Sequence, residues 1–236
     1  MFERLFKRWD KKLSPEAVRQ KTLLEPDWDG GFKQYFSTPL PNIHASLKEV
    51  ELIALDFETT GVDVDEDKIL SIGLVPLTVN DIDVGQTQEI LVNNGQFVKA
   101  ASAEVNELTP KLLADGVDIR QAMSQLFSCL AGKVILVHGA SIERAFIERY
   151  AEECYRCDAF PAFFLDTLQL EKRFSYQGRT GAHPSYQLND LRTYYGLPNY
   201  HSHSAASDAL ACAELFTVQY KKLLSTTKLE LKDLAV

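Results

Sequence analysis

An α/β fold built on a mixed sheet is predicted by three features of the chain. Short apolar runs come first, close together. Later apolar runs alternate with segments of helical periodicity. Gly, Pro, Asn and Asp punctuate the joins between them.

Residues 1–48 differ in character from the rest. They hold both tryptophans, Trp9 and Trp28, together with Pro15, Pro26, Pro39, Pro41 and the turn-forming stretch 27–31. Over residues 1–25, Lys and Arg outnumber Asp and Glu. Two short helices are expected, near 2–12 and 14–24, with Ser14 and Pro15 supplying the cap and first residue of the second. This segment reads as an N-terminal helical extension, either a cap on the main domain or an arm for docking a protein or nucleic acid. Residues 49–225 read as the main domain and 226–236 as a C-terminal tail.

Within the main domain, 51–57 has the pattern of a buried strand. Two more follow at 68–77 and 87–92, parted by the turn-like stretch 80–85. Three strands with short links predict an antiparallel meander. Helical patterns then occupy 109–114 and 118–131, and a strand 134–138. A helix at 141–154, a short strand at 162–165 and a helix at 166–173 come next. A loop with Gly178, Gly181 and Pro184 leads to closing helices at 187–195 and 204–224. Strands first, then strand–helix alternation, place helices over a mixed sheet.

The 236 residues are 45% hydrophobic and 25% charged, an ordinary globular composition. No uncharged apolar run reaches the roughly 18 residues of a membrane span, so no membrane partner is expected. The first residues break their apolar positions with charges, unlike a secretory signal. Cys129, Cys154, Cys157 and Cys212 lack the spacing of a disulfide framework, and a reducing cytoplasm suits them. Cys154 and Cys157 form a CxxC without a second pair to complete a zinc site; they read as ordinary helical cysteines. The formal net charge of −8 argues against a protein that coats nucleic acid by bulk attraction. It is compatible with a carboxylate cluster whose local sign reverses when cations bind.

Such a cluster has two candidate pieces. Asp56 and Glu58 lie two apart at the end of an apolar strand, so both project from the same face. Side by side they repel, and a divalent cation between them relieves that repulsion. Alone, the pair would be an unremarked solvated strand end. The second piece is Asp208, which opens a long amphipathic helix. His203 stands five residues earlier, roughly 500° of helical rotation away, so the two converge only if His203 is on the preceding loop. Ser204 is the cap expected there. A loop histidine beside carboxylates suits proton transfer near neutral pH, whereas His201 reads as a surface residue.

Further segments fall in a familiar order. They are Asp56-Phe57-Glu58-Thr59-Thr60-Gly61, then Lys68-Ile69-Leu70-Ser71-Ile72-Gly73, Asn106-Glu107-Leu108-Thr109 and Leu136-Val137-His138-Gly139-Ala140. After these come Phe164-Leu165-Asp166-Thr167-Leu168, Leu188-Asn189-Asp190-Leu191 with Tyr195-Gly196-Leu197, and finally His203 and Asp208. Over residues 50–222 the chain resembles the DEDD, or DnaQ-like, 3′→5′ exonuclease family in its histidine-bearing subgroup. Within that family it most resembles the proofreading epsilon subunits of bacterial DNA polymerase III.

The resemblance implies a ribonuclease H-like sheet and a two-cation site. Mg²⁺ or Mn²⁺ would be held by Asp56, Glu58, Asp208 and Glu143, with His203 as general base. Thr59, Thr60 and Gly61 would lie near the terminal nucleotide, with Phe57 and His138 also in the substrate-binding set. Asp166 would be a supporting residue. One departure is clear: where the family offers an aspartate, this chain has Glu143, one methylene longer, which bears on metal preference and rate. The implied reaction removes nucleoside 5′-monophosphates from the 3′ end of single-stranded DNA. The alternatives are the same chemistry on RNA, or a catalytically weak module that binds nucleic acid or protein. The long C-terminal extension of the epsilon subunits has no counterpart after the final helix, which leaves a polymerase partnership as one role beside stand-alone repair or RNA trimming.

Overall fold

The computed structural model describes residues 14–22, 24–25, 27–99, 108–200, 204–225 and 228–236. Its sheet has five strands: β1 (Leu52–Thr59), β2 (Ile69–Leu77), β3 (Gln88–Leu91), β4 (Val134–Val137) and β5 (Phe164–Asp166), in the order β3-β2-β1-β4-β5. β1, β2 and β3 form the expected antiparallel meander, while β4 runs parallel to β1 and β5 parallel to β4. The central strands are covered on both sides, which is why β1 stays apolar up to Asp56 and all of β4 is buried.

Nine α-helices are described: α1 (Pro15–Lys21), α2 (Gly30–Ser37), α3 (Pro110–Leu113), α4 (Ile119–Leu130), α5 (Ser141–Tyr155), α6 (Thr167–Phe174), α7 (Tyr176–Thr180), α8 (Leu188–Tyr194) and α9 (Ala205–Gln219). α4 shows how these segments become helical. Asp118 caps it by accepting from the Arg120 N–H at 2.8 Å, and Ala122, Met123, Leu126, Phe127 and Leu130 form one buried stripe. α5 ends where Arg156 turns left-handed and returns its N–H to the last carbonyls. Cys157 falls beyond that turn, so of the CxxC pair only Cys154 is helical. All four cysteines are free. No helix among the described residues is long and apolar enough to cross a membrane.

The two faces of β1 are clad differently. Phe57 meets Phe146 of α5 edge-on, at 6.5 Å between ring centroids. The opposite face, which carries Asp56, is covered by α9. Asp56 lies across from Gly73 of β2, and a Cβ on Gly73 would stand 2.0 Å from the Ala205 backbone. The start of α9 therefore rests directly on the sheet beside Asp56.

Near the N-terminus, described residues of the expected extension pack into the core of the main domain. The stretch 27–31 is not merely a turn: Asp29 caps α2 by accepting from the Phe32 N–H at 3.0 Å. The same carboxylate accepts from Ser124 of α4 at 2.7 Å and from the Tyr155 hydroxyl. Phe32 stacks on Tyr155 at 3.8 Å and Tyr35 on Phe160 at 4.5 Å, and Trp28 and Phe36 are buried beside them. These rings belong to the same buried cluster as β1 and α4, so the core does not divide at residue 48. Among the described residues the tail is likewise attached. Leu231 and Lys232 donate to the carbonyls of Ala45 and Ile43 at 3.0 and 2.9 Å, and Val236 donates to Phe164 of β5 at 2.9 Å. The helix expected near 2–12, with Trp9, lies outside the described residues. A short helix, α7, occupies the expected glycine-containing loop.

Because Phe32 sits in the shared core, Phe32→Ala is expected to cost about 3–5 kcal/mol. Urea denaturation followed by fluorescence should show one transition at a lower midpoint. An unchanged midpoint would mean that α2 is an appendage.

Candidate active site

The acidic side chains singled out in the sequence come from three elements. Asp56 and Glu58 project from the end of β1. Asp208 lies in the first turn of α9, which Gly73 admits to the sheet and Ser204 caps, its hydroxyl accepting from the Ser207 N–H at 3.4 Å. Carboxylate oxygens of Asp56, Glu58 and Asp208 lie within 4.8 Å of one another, and all three residues are half-buried. Glu143, in the first turn of α5, is only 6% exposed and stands outside that closest group. Among the negative charges that act on Asp56, its charge is nevertheless the strongest.

The electrostatics are those of crowded acids. Burial first, then the charges of Glu143, Asp208, Glu58 and Glu89, push the Asp56 carboxyl well above its usual range. Burial, with Asp166 nearby, lifts Glu143 to about 8. Its Oε2 is buried with no hydrogen-bond partner among the described residues. An oxygen-only donor set, an orphaned carboxylate oxygen and raised proton affinities together fit hard divalent cations.

Asp166 explains how Glu143 is placed. α5 has no side-chain cap of its own. The Asp166 carboxylate at the end of β5 instead accepts from the N–H groups of Gly139, Ala140 and Leu168 at 2.9, 3.1 and 2.9 Å. It thereby fixes the turn that launches α5, and it starts α6.

The remaining candidates divide. Thr59 donates its hydroxyl to the Gly61 carbonyl at 2.6 Å, and Thr60 donates to Asp67 at 2.7 Å. Gly61 lies against the same Asp67 carboxylate, too close for any side chain. This turn adjoins Glu58, and its Thr60 N–H donates to the Lys68 carbonyl at 3.0 Å. Phe57 is 7% exposed and packs on Phe146, so its ring serves the core. The imidazole of His138 is held internally at both nitrogens: Nε2 donates to the Tyr186 carbonyl at 2.9 Å, and Nδ1 pairs with the Thr167 hydroxyl at 2.7 Å. Burial lowers its pKa. Its ring nitrogens thus tie the end of β4, α6 and the loop before α8 together. His203 and His201 lie outside the described residues.

Glu89 was not legible as a site residue. It stands on β3 across from Gly73, on the same face as Asp56, and accepts from Ser71 at 2.9 Å and Ser204 at 3.0 Å. Only the register of the meander places it there.

A carboxylate cluster that could hold metal ions stands at the end of the central strand of a ribonuclease H-like sheet ordered β3-β2-β1-β4-β5. The RNase T exonuclease family model matches residues 53–216, and the chain belongs to that family, a DEDD 3′→5′ exonuclease family. It is 26% identical over 187 residues to the PolC-type DNA polymerase III of Thermotoga petrophila, covering 78% of this chain but only 13% of that protein. It is also 26% identical over 175 residues to the DNA polymerase III epsilon subunit of Treponema pallidum, covering 74% of this chain and 79% of the subunit. Among solved structures, exonuclease X in complex with 5′-overhanging duplex DNA superposes with a TM-score of 0.58. It shares 19% identity, and the match covers 77% of this chain and 98% of that one.

The raised carboxyls set a pH dependence. A carboxyl whose folded pKa exceeds its unfolded value favours folding at low pH. That contribution is lost as pH rises from the unfolded value, near 4.5, through about 8 for Glu143. In EDTA, the melting temperature should therefore fall as pH rises across this window. Mn²⁺ should raise it more at about pH 8 than at about pH 6, because cation binding must displace the protons. Differential scanning fluorimetry measures both slopes, and Glu143→Gln should flatten the EDTA slope. A wild-type slope without that window would refute the assignment.

Proposed function

We propose that the chain hydrolyses phosphodiester bonds at the 3′ end of single-stranded DNA, releasing nucleoside 5′-monophosphates. The convergence of Asp56, Glu58 and Asp208 from distant parts of the sequence carries this proposal. The polymerase-associated names of the relatives support DNA over RNA as substrate.

In this mechanism Asp56, Glu58, Asp208 and Glu143 hold two divalent cations, Mg²⁺ or Mn²⁺. The cations supply Lewis-acid stabilisation of charge at the scissile phosphate and make water more acidic. His203 takes the proton from the attacking water. The backbone of the turn at Thr59, Thr60 and Gly61 orients the terminal nucleotide. Glu143 reaches one methylene further than an aspartate would, from a helix start fixed by Asp166. A docking role for the N-terminal segment, toward a polymerase or another protein, would not use Trp28, which is buried in the core.

Single-stranded DNA and RNA oligomers, each labelled at the 3′-terminal nucleotide and incubated with Mg²⁺ or Mn²⁺, test the proposal. Labelled nucleoside monophosphate should be released from DNA. Asp56→Ala should reduce the rate roughly a thousandfold, on the order of 4 kcal/mol of transition-state stabilisation. Glu143→Asp should change the Mg²⁺-to-Mn²⁺ rate ratio. Release from RNA alone would replace the substrate, and no release from either polymer with either cation would overturn the proposal.

A further inference from the structure

One carboxylate on the site face of the sheet has no part in the mechanism above. Glu89 of β3 is directly opposed to Gly73 of β2, which is opposed to Asp56 of β1. Directly opposed residues share a face, so Glu89 looks toward the layer that holds α9. Its Oε1 accepts from the Ser71 hydroxyl at 2.9 Å and its Oε2 from the Ser204 hydroxyl at 3.0 Å. Ser71 is fully buried and is the cross-strand partner of Glu58. Ser204 caps the helix that carries Asp208, and its carbonyl accepts from the Asp208 N–H at 2.9 Å. A serine hydroxyl has one proton and two lone pairs. At Ser204 the proton goes to Glu89 and a lone pair to Ser207.

We infer that Glu89 is a positioning residue for the cation site: by joining Ser204 to Ser71 it sets the spacing between Asp208 on α9 and Glu58 on β1. This inference rests on Asp56, Glu58 and Asp208 being cation ligands. The contact between Ala205 and Gly73 limits how closely α9 approaches the sheet, but an apolar contact has no preferred direction along it. Two charge-assisted hydrogen bonds on one carboxylate are directional and supply the missing lateral restraint. Glu89 stands apart from the closest carboxylate group, and each of its oxygens already accepts from a serine. Its role is therefore to hold a ligand in place.

Isothermal titration of the full chain with Mn²⁺, alongside steady-state rates on a 3′-labelled single-stranded DNA oligomer, tests this. Glu89→Ala should weaken Mn²⁺ binding about 10- to 100-fold, the usual effect of removing a group that orients a metal ligand. Its kcat should fall correspondingly, with KM for the oligomer changed less than about twofold. Glu89→Gln can accept from one serine and donate to the other, and should stay within about threefold of wild type. Ser204→Ala should repeat the Glu89→Ala loss, and the double variant should be no worse than either. Wild-type Mn²⁺ affinity in Glu89→Ala would overturn the inference. So would an equal loss in Glu89→Gln, which would make the charge, and not the hydrogen bonds, the cause. If Glu89→Ala shows no cooperative melt, Ser204→Ala decides alone, and wild-type affinity there overturns it. A wild-type protein that binds Mn²⁺ but releases no nucleotide would sink the exonuclease proposal, while the Mn²⁺ titrations of the variants would still decide the role of Glu89.

Discussion

Ala205 lies against Gly73 with no room for a side chain between them, and the placement of the acidic site follows from that contact. A helix normally rides about a side chain's length above a sheet. Here the missing Cβ lets the helix backbone touch the strand, so the short side chain of Asp208 reaches the Asp56 and Glu58 carboxylates. The strand and helix involved are separated by well over a hundred residues, and every fold feature between them serves to return the chain to that point. The meander sets Gly73 opposite Asp56, and the parallel crossovers to β4 and β5 bring the later helices back over the sheet.

The same closeness creates the electrostatic problem that defines the site. Acids packed together and partly withdrawn from water hold their protons until a cation offers something better. The fold contributes rigid supports for this arrangement. Asp166 serves as the cap that α5 lacks, and the His138 ring pins the segment before α8 through the Tyr186 carbonyl. Asp67 braces the turn after Glu58 through Thr60. These groups keep the ligands where they are without joining them, as the supporting shell of a metal site must.

Much of this was legible in the sequence where the signal is local. Asp56 and Glu58 announce themselves by spacing on a strand, Asp208 by opening an amphipathic helix, and the antiparallel meander by the short links between its strands. What could not be read locally depended on packing. Gly30 and Gly31 argue for a turn, yet the burial of Trp28, Phe32, Tyr35 and Phe36 against α4 and Phe160 overrides their poor helical propensity. His138 looks the same in sequence whether it faces substrate or a backbone carbonyl. Glu89 looks like any exposed strand glutamate until the register puts Ser71 and Ser204 within its reach.

The last residues of the chain bear on a different hazard. β5 is an edge strand, and its outer carbonyls and N–H groups could template a strand from another molecule. Val236 occupies the Phe164 carbonyl, Arg144 grips the Val236 carbonyl from α5, and residues 231–232 are themselves paired with 43–45. One outward carbonyl of that border is thus already occupied from within the same polypeptide, which leaves one fewer acceptor for a strand from another molecule.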